Sequence, residues 1–67
     1  MANFRLVNKA IKEGYPALDI EAVRGDGYVY FQGDDGFNKV DSIMAHPVST
    51  STEDMICMVI ESIEETI

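Results

Sequence analysis

The stretch from Val23 to Gly36, VRGDGYVYFQGDDG, constrains the fold of this 67-residue chain more than any other feature. A run of β-forming residues, 28–31, lies between two turn signals, Gly25-Asp26-Gly27 and Gly33-Asp34-Asp35-Gly36. Glycine adopts positive φ at little cost, and aspartate hydrogen-bonds its own backbone, so both signals predict hairpin turns. The stretch therefore predicts a strand on either side of each turn.

The flanking segments supply the other two strands. In the preceding segment, 17–25, apolar residues alternate with Asp19 and Glu21, as in a half-buried strand whose inner residues are Leu18, Ile20 and Ala22. The following segment, 39–45, is a third strand with a less regular pattern. Together the three segments predict an antiparallel meander.

Amphipathic helices are predicted at both ends of the chain. The first begins after the N-cap Asn3, has a stripe of Phe4, Val7 and Ile11 widened by Leu6 and Ala10, and stops at Gly14 in the left-handed conformation. The second opens with the capping pairs Thr50–Glu53 and Ser51–Asp54. Its expected buried stripe is Ile56, Val59, Ile60, Ile63 and Ile67, flanked by Met55 and Met58. The predicted fold is a single α+β domain, 1–67, with an N-terminal helix, a three-stranded antiparallel meander and a C-terminal helix. Both helices are expected on one sheet face, over Leu18, Ile20, Val29 and Phe31.

Catalytic and metal-binding signatures are missing from the sequence. Arg24-Gly25-Asp26 matches a cell-surface recognition tripeptide, but its position between two strands favours a turn. The acids of the second turn lack the spacing of a calcium loop. His46 and Cys57 are single residues of their kind, too few for a zinc site, and Cys57 is expected to be an apolar filler in the last helix. We therefore predict no enzyme activity, no metal and no cofactor.

Net charge indicates the kind of partner. Twelve acids against five bases give a charge of −7, which disfavours direct nucleic-acid binding. Every Lys and Arg lies at or before Lys39, and Glu61, Glu64 and Glu65 crowd the end of the last helix, where the dipole is already negative. Two interpretations stay open, a solvated acidic face or a surface that binds a basic protein.

The tyrosines of the central strand are the second candidate surface. Tyr28 and Tyr30 alternate with the inward residues Val29 and Phe31, so they are expected on the open sheet face. They either pack across strands or bind a partner, and the same face could join two copies in a homodimer at high concentration. The candidate partner-binding residues are Asp19, Glu21, Tyr28, Tyr30, Asp41, Glu61, Glu64 and Glu65.

Residues 23–31, VRGDGYVYF, resemble a mid-chain stretch of small acidic proteins encoded by phages and prophages. The resemblance covers 14–36 and, in outline, the rest. It implies an accessory protein that acts by binding, some relatives of this kind being anti-CRISPR-like inhibitors of host or defence factors that handle nucleic acid. The expected location is the host cytoplasm, because the charged N-terminal residues do not form a signal peptide and no apolar run could cross a membrane. The alternative is an assembly module that oligomerises through the open sheet face.

Overall fold

The computed structural model of the chain, which describes residues 1–36 and 39–67, is an α+β fold. Helix α1 spans Phe4–Gly14, strand β1 Glu21–Arg24, strand β2 Val29–Gln32 and helix α2 Thr52–Thr66. The prediction of a helix at each end and an antiparallel hairpin between them is confirmed.

Helix α1 begins where the sequence predicts. The Asn3 side chain accepts a hydrogen bond from the Arg5 N–H at 3.1 Å, which satisfies one of the free amides of the first turn. The Asn3 N–H in turn donates to Oγ1 of Thr52, the first residue of α2, at 2.9 Å. The starts of the two helices are therefore joined directly. At the other end of α1 the prediction of a left-handed Gly14 is wrong, because within the described residues only Gly27 and Gly33 have positive φ.

Helix α2 begins at one of the two predicted capping pairs. The Asp54 N–H donates to Ser51 Oγ at 3.2 Å, so Ser51 is the N-cap. Thr50 does not pair with Glu53; its hydroxyl donates to the His46 carbonyl at 2.8 Å and closes the loop before the helix. Glu53 and Asp54 lie in the first turn, where the helix dipole stabilises negative charge.

The hairpin pairs β1 with β2 through the four residues 25–28. Ala22 lies opposite Phe31 and Arg24 opposite Val29, which sets the register. The Gly25 N–H donates to the Tyr28 carbonyl at 2.8 Å, and Asp26-Gly27 makes the turn. Gly27 has a φ of 83°, as predicted for one of these glycines, whereas Asp26 does not have positive φ.

The predicted third strand, 39–45, is wrong. A single antiparallel bridge joins Ile43 to Val29, with N···O distances of 2.9 Å and 2.7 Å. Val40 is buried, Ile43 packs against the core, and Met44 is 84% exposed. Val40 and Ile43 are three positions apart, so a regular strand would point them to opposite faces. Burying both requires the segment to leave the sheet after one bridge, and the sheet has two strands in the part of the chain that the structure describes.

The outer edge of β1 is covered by a side chain of α1. Asn8 Oδ1 accepts from the Ala22 N–H at 2.7 Å, and Asn8 Nδ2 donates to the Ala22 carbonyl at 3.1 Å. In the alternating antiparallel pattern the backbone groups of Ala22 point away from β2. Asn8 thus satisfies two buried backbone groups that the two-stranded sheet leaves without a partner.

The core joins buried residues of all four elements. Helix α1 contacts both α2 and β1. Ala22 and Phe31, opposite each other in the hairpin, share one face and belong to the core. The other buried residues of the elements are Val7 and Ile11 on α1, Val29 on β2, and Met55, Val59 and Ile63 on α2.

The buried stripe of α2 differs from the predicted one. Its centre is Met55, Val59 and Ile63, all at 0% exposure and spaced four residues apart, so Met55 belongs to the stripe and not to its flank. Ile56 and Ile60 are partly buried, and Ile67 is 67% exposed. On α1, Leu6 is likewise exposed, against prediction. Each helix therefore has more apolar surface than it buries in the core.

We expect Asn8→Ala to lower the free energy of unfolding by about 1–3 kcal/mol, because the N–H and C=O of Ala22 would stay buried without partners. Urea denaturation followed by circular dichroism measures the loss. Lys12→Ala, an exposed change on the same helix, should stay within about 0.5 kcal/mol of the parent. Equal stability of the two variants would contradict the role given to Asn8.

We also expect Ile63→Ala to cost about 2–5 kcal/mol and Ile60→Ala clearly less, because only Ile63 is fully enclosed. Chemical denaturation of both variants gives the comparison. An equal or larger loss at Ile60 would restore the stripe predicted from the sequence.

Candidate protein-binding surfaces

Four of the predicted acids lie at one end of the molecule. Asp41 and Glu65 line one shallow depression, together with Ser62 and Thr66. Glu61 and Glu64 are exposed on the last turns of α2. We call Asp41, Glu61, Glu64 and Glu65 the acidic end.

The two helices run in the same direction and finish at this end. Their starts are joined by the Asn3–Thr52 hydrogen bond. Near their ends, Tyr15 follows α1, and desolvation of its ring, with a smaller contribution from the negative charge of Glu64, raises the pKa of its phenol. Parallel helices place both negative dipole ends together, so their fields add to the charge of the acidic end. Two bases lie near this end: Lys12 is in the last turn of α1, and Lys39 lines a depression with Thr66 and Ile67.

Asp19 has a structural position. Its Oδ2 accepts from the Asp34 N–H at 3.3 Å, and its own N–H donates to Asp35 Oδ2 at 2.8 Å. The Asp19 carbonyl accepts from the Asp35 N–H at 3.0 Å and lies so close to Gly33 that a side chain there would collide with it. Asp19 therefore holds the second Gly-Asp turn, and a part for it in partner binding stays a prediction.

The tyrosine pair lies on the side of the hairpin away from the core. Tyr28 and Tyr30 are 37% and 36% exposed, and their ring centroids are 5.9 Å apart at an angle of 37°. Gln32, two residues further along β2, donates from Nε2 to Oε2 of Glu21 on β1 at 3.2 Å. We call Glu21, Tyr28, Tyr30 and Gln32 the tyrosine face.

Gln32 is not among the residues predicted from the sequence, although the two-residue period of a strand places it in line with Tyr28 and Tyr30. Asp41, one of the predicted partner-binding residues, lines the depression with Glu65, on a segment that does not continue the sheet.

Within Arg24-Gly25-Asp26, Arg24 ends strand β1 and the other two residues lie in the turn that follows. Arg24 Nη1 donates to Met1 Sδ at 3.4 Å. The ring of Tyr28 lies against Gly25, where an added Cβ would be 2.6 Å from Cζ. This close approach explains Gly25, and positive φ explains Gly27.

The other candidates for chemistry remain apart from one another. His46 lies beside Gly27, with its Cε1 3.1 Å from where a Cβ would be. Cys57 is exposed on α2, so the prediction that it fills the core is wrong. Within 1–36 and 39–67, His, Cys, Asp and Glu side chains form no group of three or more that could hold a metal ion.

No protein-family model, curated protein or solved structure matches this chain. Among the described residues, neither helix has the length and apolar character needed to cross a bilayer.

We expect Glu64→Gln to lower the pKa of Tyr15 while leaving it above its ordinary value, because the larger cause, desolvation, remains. Replacing Tyr28 and Tyr30 by Phe leaves Tyr15 as the only tyrosine, so phenolate absorbance against pH reports it alone. The folded-state pKa is raised, so the contribution of neutral Tyr15 to stability is complete below the unfolded-state pKa and is lost as the pH rises through the folded-state pKa. Glu53→Gln, at the far end of α2, should not move the titration. An unchanged midpoint in Glu64→Gln would contradict the influence of the Glu64 charge on Tyr15.

Proposed function

We propose that this protein acts by binding a basic surface of another protein, with the acidic end as its main contact and the tyrosine face as a second. The partner class is a host or defence protein whose basic groove normally holds nucleic acid. The observation that carries the proposal is the grouping of Asp41 with Glu65, beside Glu61 and Glu64, where both helices end. The phage-like stretch, 23–31, supports an inhibitory accessory role in the host cytoplasm.

Helix electrostatics favour a function for these acids over a role in solubility alone. Negative charges in the last turn of a helix cost about 0.3–1 kcal/mol each when exposed. The same charges would be stabilising in the first turn, where Glu53 and Asp54 already lie. Solubility requires neither Glu64 and Glu65 at the unfavourable end of α2 nor the lack of Lys and Arg after Lys39, because exposed acids raise the net charge equally at other positions.

Each surface should affect a different step of binding. Exposed charges act at long range, so the acidic end should govern the association rate and its salt dependence. Aromatic contacts form only after docking, so the tyrosine face should govern dissociation.

Self-assembly is the alternative. Tyr28 and Tyr30 are partly exposed, and Met44, on the segment bridged to β2, is 84% exposed. A domain of this size gains stability by covering such a surface with a second copy. Salt separates the two functions, because an apolar homodimer should persist at ionic strengths that dissociate an electrostatic complex. A monomer at millimolar concentration in light scattering would reject self-assembly.

The test uses two triple variants that change the net charge by the same amount. One changes the acidic end, and the other changes acids at the hairpin turn and in the first turn of α2. One is Glu61→Gln, Glu64→Gln and Glu65→Gln; the other is Asp26→Asn, Glu53→Gln and Asp54→Asn. We expect the first to unfold at slightly higher urea than the parent and the second at slightly lower urea, by tenths of a kcal/mol to about 1 kcal/mol per helix-end charge.

Binding should change in the opposite order. We call the variant of Glu61, Glu64 and Glu65 the Glu61 set and the other variant the Asp26 set. In pull-downs from bacterial lysate, the parent and the Asp26 set should capture a partner that the Glu61 set does not capture. Duplex DNA should displace this partner from the parent. With that protein purified, the Glu61 set should associate more slowly and with a flatter salt dependence. If both sets associate as fast as the parent at low salt, the acidic end is only a solvated face.

A further inference from the structure

We propose that the tyrosine face binds an arginine side chain of the partner, with the guanidinium on the ring of Tyr30 and its N–H groups toward the Glu21 carboxylate. The inference rests on the proposed function in one respect, that the partner is a basic protein. It names the residue type that the second contact recognises.

The geometry places an aromatic surface and a carboxylate side by side. Tyr30 lies opposite Val23 in the hairpin, and the next pair on the same face is Gln32 with Glu21. Diagonal neighbours on one face of an antiparallel pair are about 7–8 Å apart, a span that a long side chain covers. One end of the face thus offers a ring and the other a negative charge.

Both groups are held in place before binding. Glu21 Oε2 accepts from Gln32 Nε2 at 3.2 Å, which restrains the carboxylate. Tyr30 packs against Tyr28 at 5.9 Å between ring centroids, and Tyr28 lies against Gly25, whose lack of a side chain allows this approach. A partner therefore meets a face whose aromatic and acidic parts need little further ordering.

This combination favours arginine over lysine. A guanidinium is planar and weakly hydrated, so it can stack on a tyrosine ring while its edge donates to a carboxylate. An ammonium is a compact, strongly hydrated charge that can satisfy the carboxylate but gains less from the ring. A nucleic-acid base could also stack here, but the phosphates beside it would face Glu21 and a chain of net charge −7.

The experiment compares two acetylated and amidated probe peptides of equal length, one alternating arginine with glycine and the other alternating lysine with glycine. Each is titrated into the full chain at fixed ionic strength, with binding followed residue by residue in nuclear magnetic resonance spectra. We expect the arginine peptide to bind more tightly by at most about two- to fivefold, the size of a whole exposed cation–π contact, because lysine keeps part of that contact. Its largest shifts should fall on Tyr28, Tyr30 and Glu21.

Variants at position 30 separate the ring from general packing. Tyr30→Phe should keep the preference for arginine, Tyr30→Trp should increase it, and Tyr30→Ile should abolish it while keeping a β-forming residue. Glu21→Gln should weaken the arginine peptide more than Asp26→Asn, which makes the same charge change at the hairpin turn. If Tyr30→Ile does not fold, the comparison of the two peptides on the parent chain and on the Phe and Trp variants still decides the matter.

The inference and the proposed function fail in different ways. Equal affinities for the two peptides, or shifts confined to the acidic end, would overturn the arginine site and leave the electrostatic contact standing. A second pair of results would have the opposite meaning. If Tyr30→Ile loses the preference for arginine while the triple variant of Glu61, Glu64 and Glu65 binds the lysate partner unchanged, the arginine site is supported and the acidic end is rejected. Dimerisation through the tyrosine face that the arginine peptide does not reverse would make a second copy the occupant and overturn the inference.

Discussion

The rest of the structure depends on the two hydrogen bonds between the Asn8 side chain and the backbone of Ala22. A two-stranded hairpin is at best marginally stable in water and exposes backbone groups at both edges. Asn8 satisfies these groups at Ala22 with the amide of a helix side chain, at 2.7 Å and 3.1 Å. The contact also fixes α1 against β1, so that Val7 and Ile11 can be buried with the strand residues.

The opposite edge of the hairpin is held much more lightly. Among residues 1–36 and 39–67, the Val29–Ile43 bridge is the one strand pairing that connects it to the chain leading to α2. This segment buries Val40 and packs Ile43 against the core instead of extending the sheet, and it carries Asp41 to Glu65. The packing of Val40 and Ile43 therefore both shortens the sheet and completes the acidic end. As a result, the acidic end and the tyrosine face lie on different parts of the molecule.

The charges at the two ends of the helices have opposite effects on stability. The Asn3–Thr52 hydrogen bond joins their starts, where Asn3 and Ser51 cap and Glu53 and Asp54 complement the dipole. At their ends the charges of α2 oppose the dipole. The charges at the start of α2 stabilise the fold, and the charges at its end belong to the surface for which we propose a partner. Removing the clash should therefore help the isolated protein and weaken the complex.

Much of the local structure follows from the sequence. Three features each depend on one residue and its near neighbours. They are the helix caps Asn3 and Ser51, the positive φ of Gly27, and the alternation that puts Tyr28 and Tyr30 on the face of the hairpin away from Phe31. These features are short-range consequences of backbone geometry and side-chain hydrogen bonding, so a single sequence determines them. The charge asymmetry, from which we propose a basic partner, is also a property of the sequence alone.

Tertiary structure decided what depends on distant contacts. The 39–45 segment has strand-like residues, but Val40 and Ile43 are buried by a packing that no strand allows. Helix α2 has an apolar surface wide enough for several stripes, and its packing in the core, which includes contacts with α1, buries Met55, Val59 and Ile63 more fully than Ile60 and Ile67. Asn8 is an ordinary polar helix residue until Ala22, fourteen positions away, presents its backbone. Such choices belong to the arrangement of elements in space, since local periodicity allows several ways to bury the same residues.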